Sequence, residues 1–336
     1  MERQGIWRGL AAGTMAFGLL AGPAAAQWKP EKPITVIVPW GAGGSTDQVV
    51  RVVAQEVEKA LGQKVVVVNQ PGASGAIGTK SVLDAPKDGL TIASGAAKDL
   101  GTYAVSGALD TRIEDWHLYL AVVNASVIGV NASTPFKTLP DLIQAMKDKP
   151  GSLKVATAGI TSSGGDGLRQ LQTAFGVEAK QITYDGGNPA VIATAGGETD
   201  ATTQLGVEQA EMIRAGKLRG LAVLSARPLA LEGVPPIDPV TKFKADFKLA
   251  DNYFGIFVPK GAPKEVTDTL DRIWKEVMPK SEALAKYAES RGAIVAVLSG
   301  EEARKAVMPA IQIAAWALVD RKQSKIDPAS IGIEKP

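Results

Sequence analysis

The chain has 336 residues, 45% hydrophobic and 21% charged, a balance that fits a globular protein large enough for two cores and excludes a disordered one. A formal net charge of +2 gives no electrostatic reason to expect nucleic acid. With no cysteine, a lipid-anchored thiol, a disulfide framework and a thiolate metal site are all excluded.

At the N-terminus, Arg3 and Arg8 precede an apolar stretch from Leu10 to Ala21, then Pro23 and Ala24–Ala26. These are the ordered parts of a secretory signal with a small-residue cleavage site, so residues 1–26 are expected to be removed and the mature chain to begin at Gln27. The apolar stretch is shorter than the roughly 20 residues of a spanning helix. Removing it takes away Arg3, Arg8 and Glu2 and lowers the net charge of +2 by one unit. The expected address is a bacterial periplasm.

From Pro33 to Trp40 an apolar run predicts a buried strand, followed by the Gly/Ser-rich loop GAGGSTD at 41–47 and a helix through Val49, Val53, Val57 and Leu61 that ends at Gly62. Lys64–Asn69 predicts a second strand, PGASG a tight loop, Ala76–Leu83 a helix and Leu90–Ser94 a third strand. Alternation of this kind implies a mostly parallel sheet covered by helices. The pattern restarts at Thr138–Asp141, which opens a helix, with a strand at Leu153–Ala158 and a second Gly/Ser loop, GITSSGGDG at 159–167, leading into a helix through Leu168, Leu171 and Phe175.

A strand at Gln181–Tyr184, a helix after Asn188-Pro189, a weak strand near Asp200–Gln204, a helix at Val207–Ala215 and a strand at Leu218–Leu224 complete this unit. Residues 227–239, with Pro228, Pro235, Pro236 and Pro239, read as punctuation without regular structure. Tyr253–Pro259 predicts a strand, and helices follow at Val266–Met278, Ser281–Ser290 and Glu301–Arg321, with a strand at Ala293–Leu298.

Each Gly/Ser loop lies between a strand and a helix, where outward backbone N–H groups and the helix dipole favour a negative ligand group. One loop alone reads as an ordinary turn; two suggest a ligand with two acidic ends in a cleft. Other chemistries fit less well. GAGGSTD has Thr46 where a dinucleotide fingerprint needs its third glycine and Asn69 near where the ribose acid belongs, and neither loop carries a P-loop lysine. Ser162 or Ser163 could serve a secreted hydrolase, but the single histidine, His117, has no triad or metal spacing around it. Asp47, Asp166 and Asp185 read as caps rather than acid/base groups. No enzyme activity, cofactor or metal is expected.

The order of several stretches resembles the substrate-binding proteins of tripartite tricarboxylate transporters, the Bug family. They are KPITVIVPWGAGGSTD at 32–47, LGQKVVVVNQPGASGAIGT at 61–79, KDGLTIASG at 87–95, KTLPDLIQAMKDKPGSLKVATAGITSSG at 137–164, YDGGNPAVIATAGGETDA at 184–201 and IRAGKLRGLAVLSARP at 213–228. The resemblance implies an α/β, two-lobed periplasmic binding protein of the Venus-flytrap type, each lobe a mostly parallel sheet flanked by helices. One lobe would take residues 27–125 plus 249–336 and an inserted lobe 126–248. It also implies a monomer that binds a small carboxylate and delivers it to a membrane permease, with a signalling output as the alternative.

Carried over by position, the resemblance places Trp40, Gly43, Gly44, Ser45, Thr46 and Asp47 on the first ligand loop and Thr161, Ser162, Ser163 and Gly164 on the second. Tyr184 and Gln204 match pocket-lining positions, and Ser74 and Ser94 are expected at neighbouring strand ends. Gly41-Ala42, Asp185 and Gln204 depart from the usual pattern. Because Gln204 stands where an acid is frequent, the expected ligand is a di- or tricarboxylate without an amino group, and Trp40 offers an aromatic acid as the alternative.

Overall fold

The computed structural model describes Met1 and residues 28–336; apart from Met1, the expected export signal and the start at Gln27 lie outside these residues. The first unit runs β1 (Ile34–Val38), α1 (Ser45–Leu61), β2 (Val65–Asn69), α2 (Ala76–Asp84), β3 (Thr91–Ala96), α3 (Ala97–Ser106) and β4 (Trp116–Val123). The second runs β5 (Val127–Asn131), α4 (Leu139–Asp148), β6 (Lys154–Thr157), α5 (Ser163–Phe175), β7 (Lys180–Thr183), α6 (Gly187–Ala195), β8 (Ala201–Thr202), α7 (Gly206–Arg214), β9 (Leu218–Val223), β10 (Leu229–Leu231) and β11 (Val234–Ile237). The chain then returns with β12 (Tyr253–Pro259), α8 (Lys264–Glu276), α9 (Glu282–Arg291), β13 (Ile294–Ser299) and α10 (Gly300–Asp320).

Two sheets result. The first has the order β13-β4-β12-β3-β1-β2, with β1 to β4 running one way and β12 and β13 the other. The second has the order β7-β6-β8-β5-β9, with only β5 reversed. This is the two-lobed α/β architecture expected, with most strands of each sheet sharing a direction.

Alternation along β1 explains the layering. Ile34, Val36 and Val38 point to one face and pack with Val49, Val53 and Val57 of α1 and Leu270 and Ile273 of α8, whereas Ile37 joins α2, α3 and α10 on the other. The second sheet repeats the device: Ile128 and Val130 of β5 pack on α4 and α5, and Val127 faces α6 and α7. The sheets also meet. Ala158, Leu205 and Val207 belong to the same apolar cluster as Val49 and Phe254, so the core of the first unit extends to the second.

Three local differences from the sequence reading have physical causes. The proline-rich passage contains a short antiparallel hairpin, β10–β11, whose register of Leu229 with Ile237 and Leu231 with Val234 leaves Pro235 and Pro236 between the paired positions. The strand near Asp200–Gln204 shortens to Ala201–Thr202 because the chain turns there toward α7, with Thr202 Oγ1 accepting the Gln204 N–H at 3.2 Å. α3 escapes the helical pattern because most of it, from Ala97 to Tyr103, is buried on every side, which erases the 3.6-residue period.

A cleft between two helix N-termini

The loop after β1 enters α1 through Gly43, whose φ of +78° suits glycine, and Gly44, an extended N-cap without a side-chain cap bond. The missing cap comes from the second unit: Glu208, in the first turn of α7, accepts the Ser45 N–H on Oε1 at 2.8 Å and the Leu205 N–H on Oε2 at 3.2 Å. Asp47 folds back instead, accepting the Gly43 N–H at 3.0 Å and pairing with Arg51 at 2.8 Å. Burial raises its carboxyl, but the bonds from Arg51, Gly43 and Asn69 outweigh that and hold it below the usual range.

The second loop is capped from within. Ser162 Oγ accepts the Gly165 N–H at 3.1 Å and donates to the Gly159 carbonyl at 2.9 Å. Thr161 Oγ1 is buried with no partner among the described residues. Two asparagines at the crossovers between the sheets hold the starts of α1 and α5 in matching fashion. Asn124 Nδ2 donates to Ser45 Oγ at 2.7 Å and Asn252 Nδ2 to Ser163 Oγ at 2.8 Å, and Asn124 N–H bonds the Asn252 carbonyl at 3.0 Å.

A small cavity of about 30 Å³ lies where the two loops meet, lined by Trp40, Ser45, Thr46, Ala96, Asp99, Ala158, Ser162, Ser163, Gly187, Gln204, Leu205, Glu208 and Phe254. The cleft is closed over it. A Cβ on Gly41 would lie 2.6 Å from the Asp185 carbonyl, one on Gly43 3.1 Å from the Asn188 amide, and one on Gly159 2.6 Å from Ser74 Oγ. A second cavity of about 780 Å³ borders the crossovers and α10.

Of the expected site residues, Trp40, Ser45, Thr46, Ser162, Ser163 and Gln204 line the small cavity. Gly43, Gly44, Thr161 and Gly164 shape the two loops around it, a Cβ on Gly164 falling 2.8 Å from Gln204. Four others are not in the cavity lining. Asp47 is turned into the Arg51 pair, Ser74 packs against Gly159, and Tyr184 donates to Glu198 at 3.0 Å. Ser94 lies inside β3 rather than at its end, donating to the Ile37 carbonyl at 2.8 Å. His117 is on β4, and the hydroxyls of Ser162 and Ser163 bond main chain and Asn252, with no base among those partners.

Gln204 does not leave the cavity without acidic residues. Asp99 and Glu208 both line it. Burial pushes Glu208 up to about 7 despite the Ser45 and Leu205 N–H groups, and pushes Asp99 up to about 6 against the pull of Lys98. Lys98, fully buried at the head of α3, pairs with Asp99 at 2.7 Å and with Asp166 of α5, which also pairs with Arg169. Burial lowers Lys98, but Asp166 and Asp99 together raise it above the ordinary lysine value. Gln204 bridges the region, its amide nitrogen donating to Glu208 Oε2 at 3.1 Å and its oxygen accepting the Ala158 N–H when the amide is oriented to satisfy both.

Two α/β units that bring Gly/Ser loops together over one small cavity have the architecture of two-lobed periplasmic binding proteins. The model of the tripartite tricarboxylate transporter family receptor matches residues 49–315, and the chain belongs to that family. It is 29% identical over 313 residues to protein BugT of Bordetella pertussis, covering 90% of this chain and 93% of that one. It is 32% identical over 246 residues to the UPF0065 protein in the tcbD–tcbE intergenic region of Pseudomonas sp. (strain P51), covering 72% of each. The solved periplasmic binding protein BugD superposes with a TM-score of 0.78 at 25% identity, over 91% of this chain and all of that one.

Proposed function

We propose that the chain is a periplasmic receptor that captures a small organic acid in the cleft between its lobes and passes it to a membrane permease. The observation that carries this reading is the convergence of two helix N-termini, from different sheets, on one cavity with no lysine or arginine in its lining. Such a site recognises carboxylates by main-chain N–H groups and hydroxyls, each charge-assisted bond contributing roughly 1.5 to 3 kcal/mol before the cost of closure. The lobes are taken as residues 27–125 with 249–336, and 126–248, a division supported by sheet membership and by the asparagines at the crossovers.

Export through residues 1–26 and a monomeric state belong to the same reading. Two more distant proteins of this fold, from Rhodopseudomonas palustris and 22% identical, are solved with adipate and with malate; at that distance the likeness bears on fold, and the ligand class rests on the cleft itself.

Reversible closure is the testable consequence. Native mass spectrometry of freshly purified protein should release a small acid, and adding it back to emptied protein should raise the melting temperature. No retained acid, together with no response to a panel of mono-, di-, tri- and aromatic carboxylates, would contradict the reading.

A further inference from the structure

The first cradle already holds a carboxyl group, and that group belongs to the chain. Glu208 reaches across from the second lobe to the α1 N-terminus, where a ligand carboxylate would be expected, and takes the Ser45 N–H at 2.8 Å. Its own helix supplies a second donor, the Leu205 N–H. Gly187, at the start of α6, leaves the room: a Cβ there would collide with the Glu208 carboxyl, and one on Gly44 would touch Oε1 at 3.4 Å. Three helix starts thus surround the carboxyl of Glu208, a residue only 9% exposed.

Charge counting within the cleft gives the consequence. Asp99 and Asp166 are matched by Lys98 and Arg169, whereas Glu208 has backbone and amide donors but no cation among its partners. Once Glu208 is ionised, above the range in which burial keeps its proton, a second ligand carboxylate entering beside it would meet an unbalanced like charge in a buried place. The second cradle has no such occupant, and Thr161 Oγ1 there is buried without a partner among the described residues.

We propose that Glu208 supplies in cis the carboxylate of the first cradle, so that the cleft selects a guest with one carboxylate, for the second cradle, and a hydrogen-bond-donating far end, for Glu208. Glu208 is then the residue that sets ligand charge type. This rests on the receptor reading above and narrows it.

The test is titration calorimetry at about pH 8.5, where Glu208 is ionised, with three chain-length series of four to seven carbons: α,ω-diacids, ω-amino acids and ω-hydroxy acids. Wild-type protein should bind the best ω-amino or ω-hydroxy acid at least tenfold tighter than the diacid of equal length. Glu208→Gln, which keeps the shape, and Glu208→Ser, which empties the seat, should each shift that ratio at least tenfold toward the diacid. Carboxylates that bind with a wild-type preference for diacids, or with a ratio that both variants leave unchanged, would overturn the assignment while leaving the receptor reading intact. If none of the three series binds wild type or variants, the assignment falls; silence also toward retained and aromatic acids would take the receptor reading with it. Should a variant fail to fold, the wild-type preference alone decides.

Discussion

Glu208 shows how burial and function compete at one residue. Its carboxyl ordinarily titrates near 4.5, and burial moves it to about 7 in the folded protein. Between those values the folded form keeps a proton that the unfolded chain has released, so stability falls as pH rises through the window. Asp99 acts in the same direction from 3.8 to about 6. The groups that face Glu208 are the Ser45 and Leu205 N–H donors and the Gln204 amide, and Tyr287, raised chiefly by burial, is raised further by Glu208. The melting temperature of the empty protein should therefore drop by several degrees between pH 4.5 and 7.5, and Glu208→Gln should flatten the upper part of that slope, measured by thermal scans across pH. An unchanged slope in the variant would mean that Glu208 is not the titrating group. Sequence reading missed this residue because a glutamate three positions into a helix reads as an ordinary first-turn acid. The departure at Gln204 pointed to the right place: an acid stands four residues later, at Glu208, and lines the same cavity.

At the scale of elements, the strand–loop–helix units were legible wherever one face was polar. α1 shows its apolar stripe at Val49, Val53 and Val57 and ends at Gly62, whose φ of +68° and N–H bond to the Glu58 carbonyl form the expected C-terminal cap. α4 begins at a capping box of Thr138 and Asp141 that the sequence displays openly. α3 was not legible, for the reason that makes it matter. It is buried, and Lys98 at its start crosses to Asp166 at the start of α5, clamping the two sheets beside the cavity. Lys98→Ala would leave Asp99 and Asp166 without this cation in a buried setting and should cost about 3–5 kcal/mol of stability. Chemical denaturation measures it. A loss under about 1 kcal/mol would show the clamp to be solvated and weak.

For the molecule as a whole, the sequence revealed two α/β units and the loops that face one another, because strand C-terminal ends of open sheets gather ligands at their edge. It did not reveal how the loops are tied to the crossovers. Asn124 and Asn252 lie in segments without periodicity, and only the fold brings each to a serine at the head of α1 or α5. Rotation of one lobe on the other would carry Glu208 away from Ser45 and Lys98 away from Asp166 together, so opening breaks two buried polar links between the lobes. A guest must replace what those links provide.

The most direct measurement is a crystal structure of the protein with the acid it retains from the cell. The account predicts the guest between Trp40 and Ser163, one carboxylate oxygen about 2.7–3.2 Å from main-chain N–H groups at the start of α5, with Glu208 still seated at Ser45 or facing a donor of the guest. A guest lodged in the larger cavity beside α10, or gripped by an arginine or lysine side chain, would contradict it.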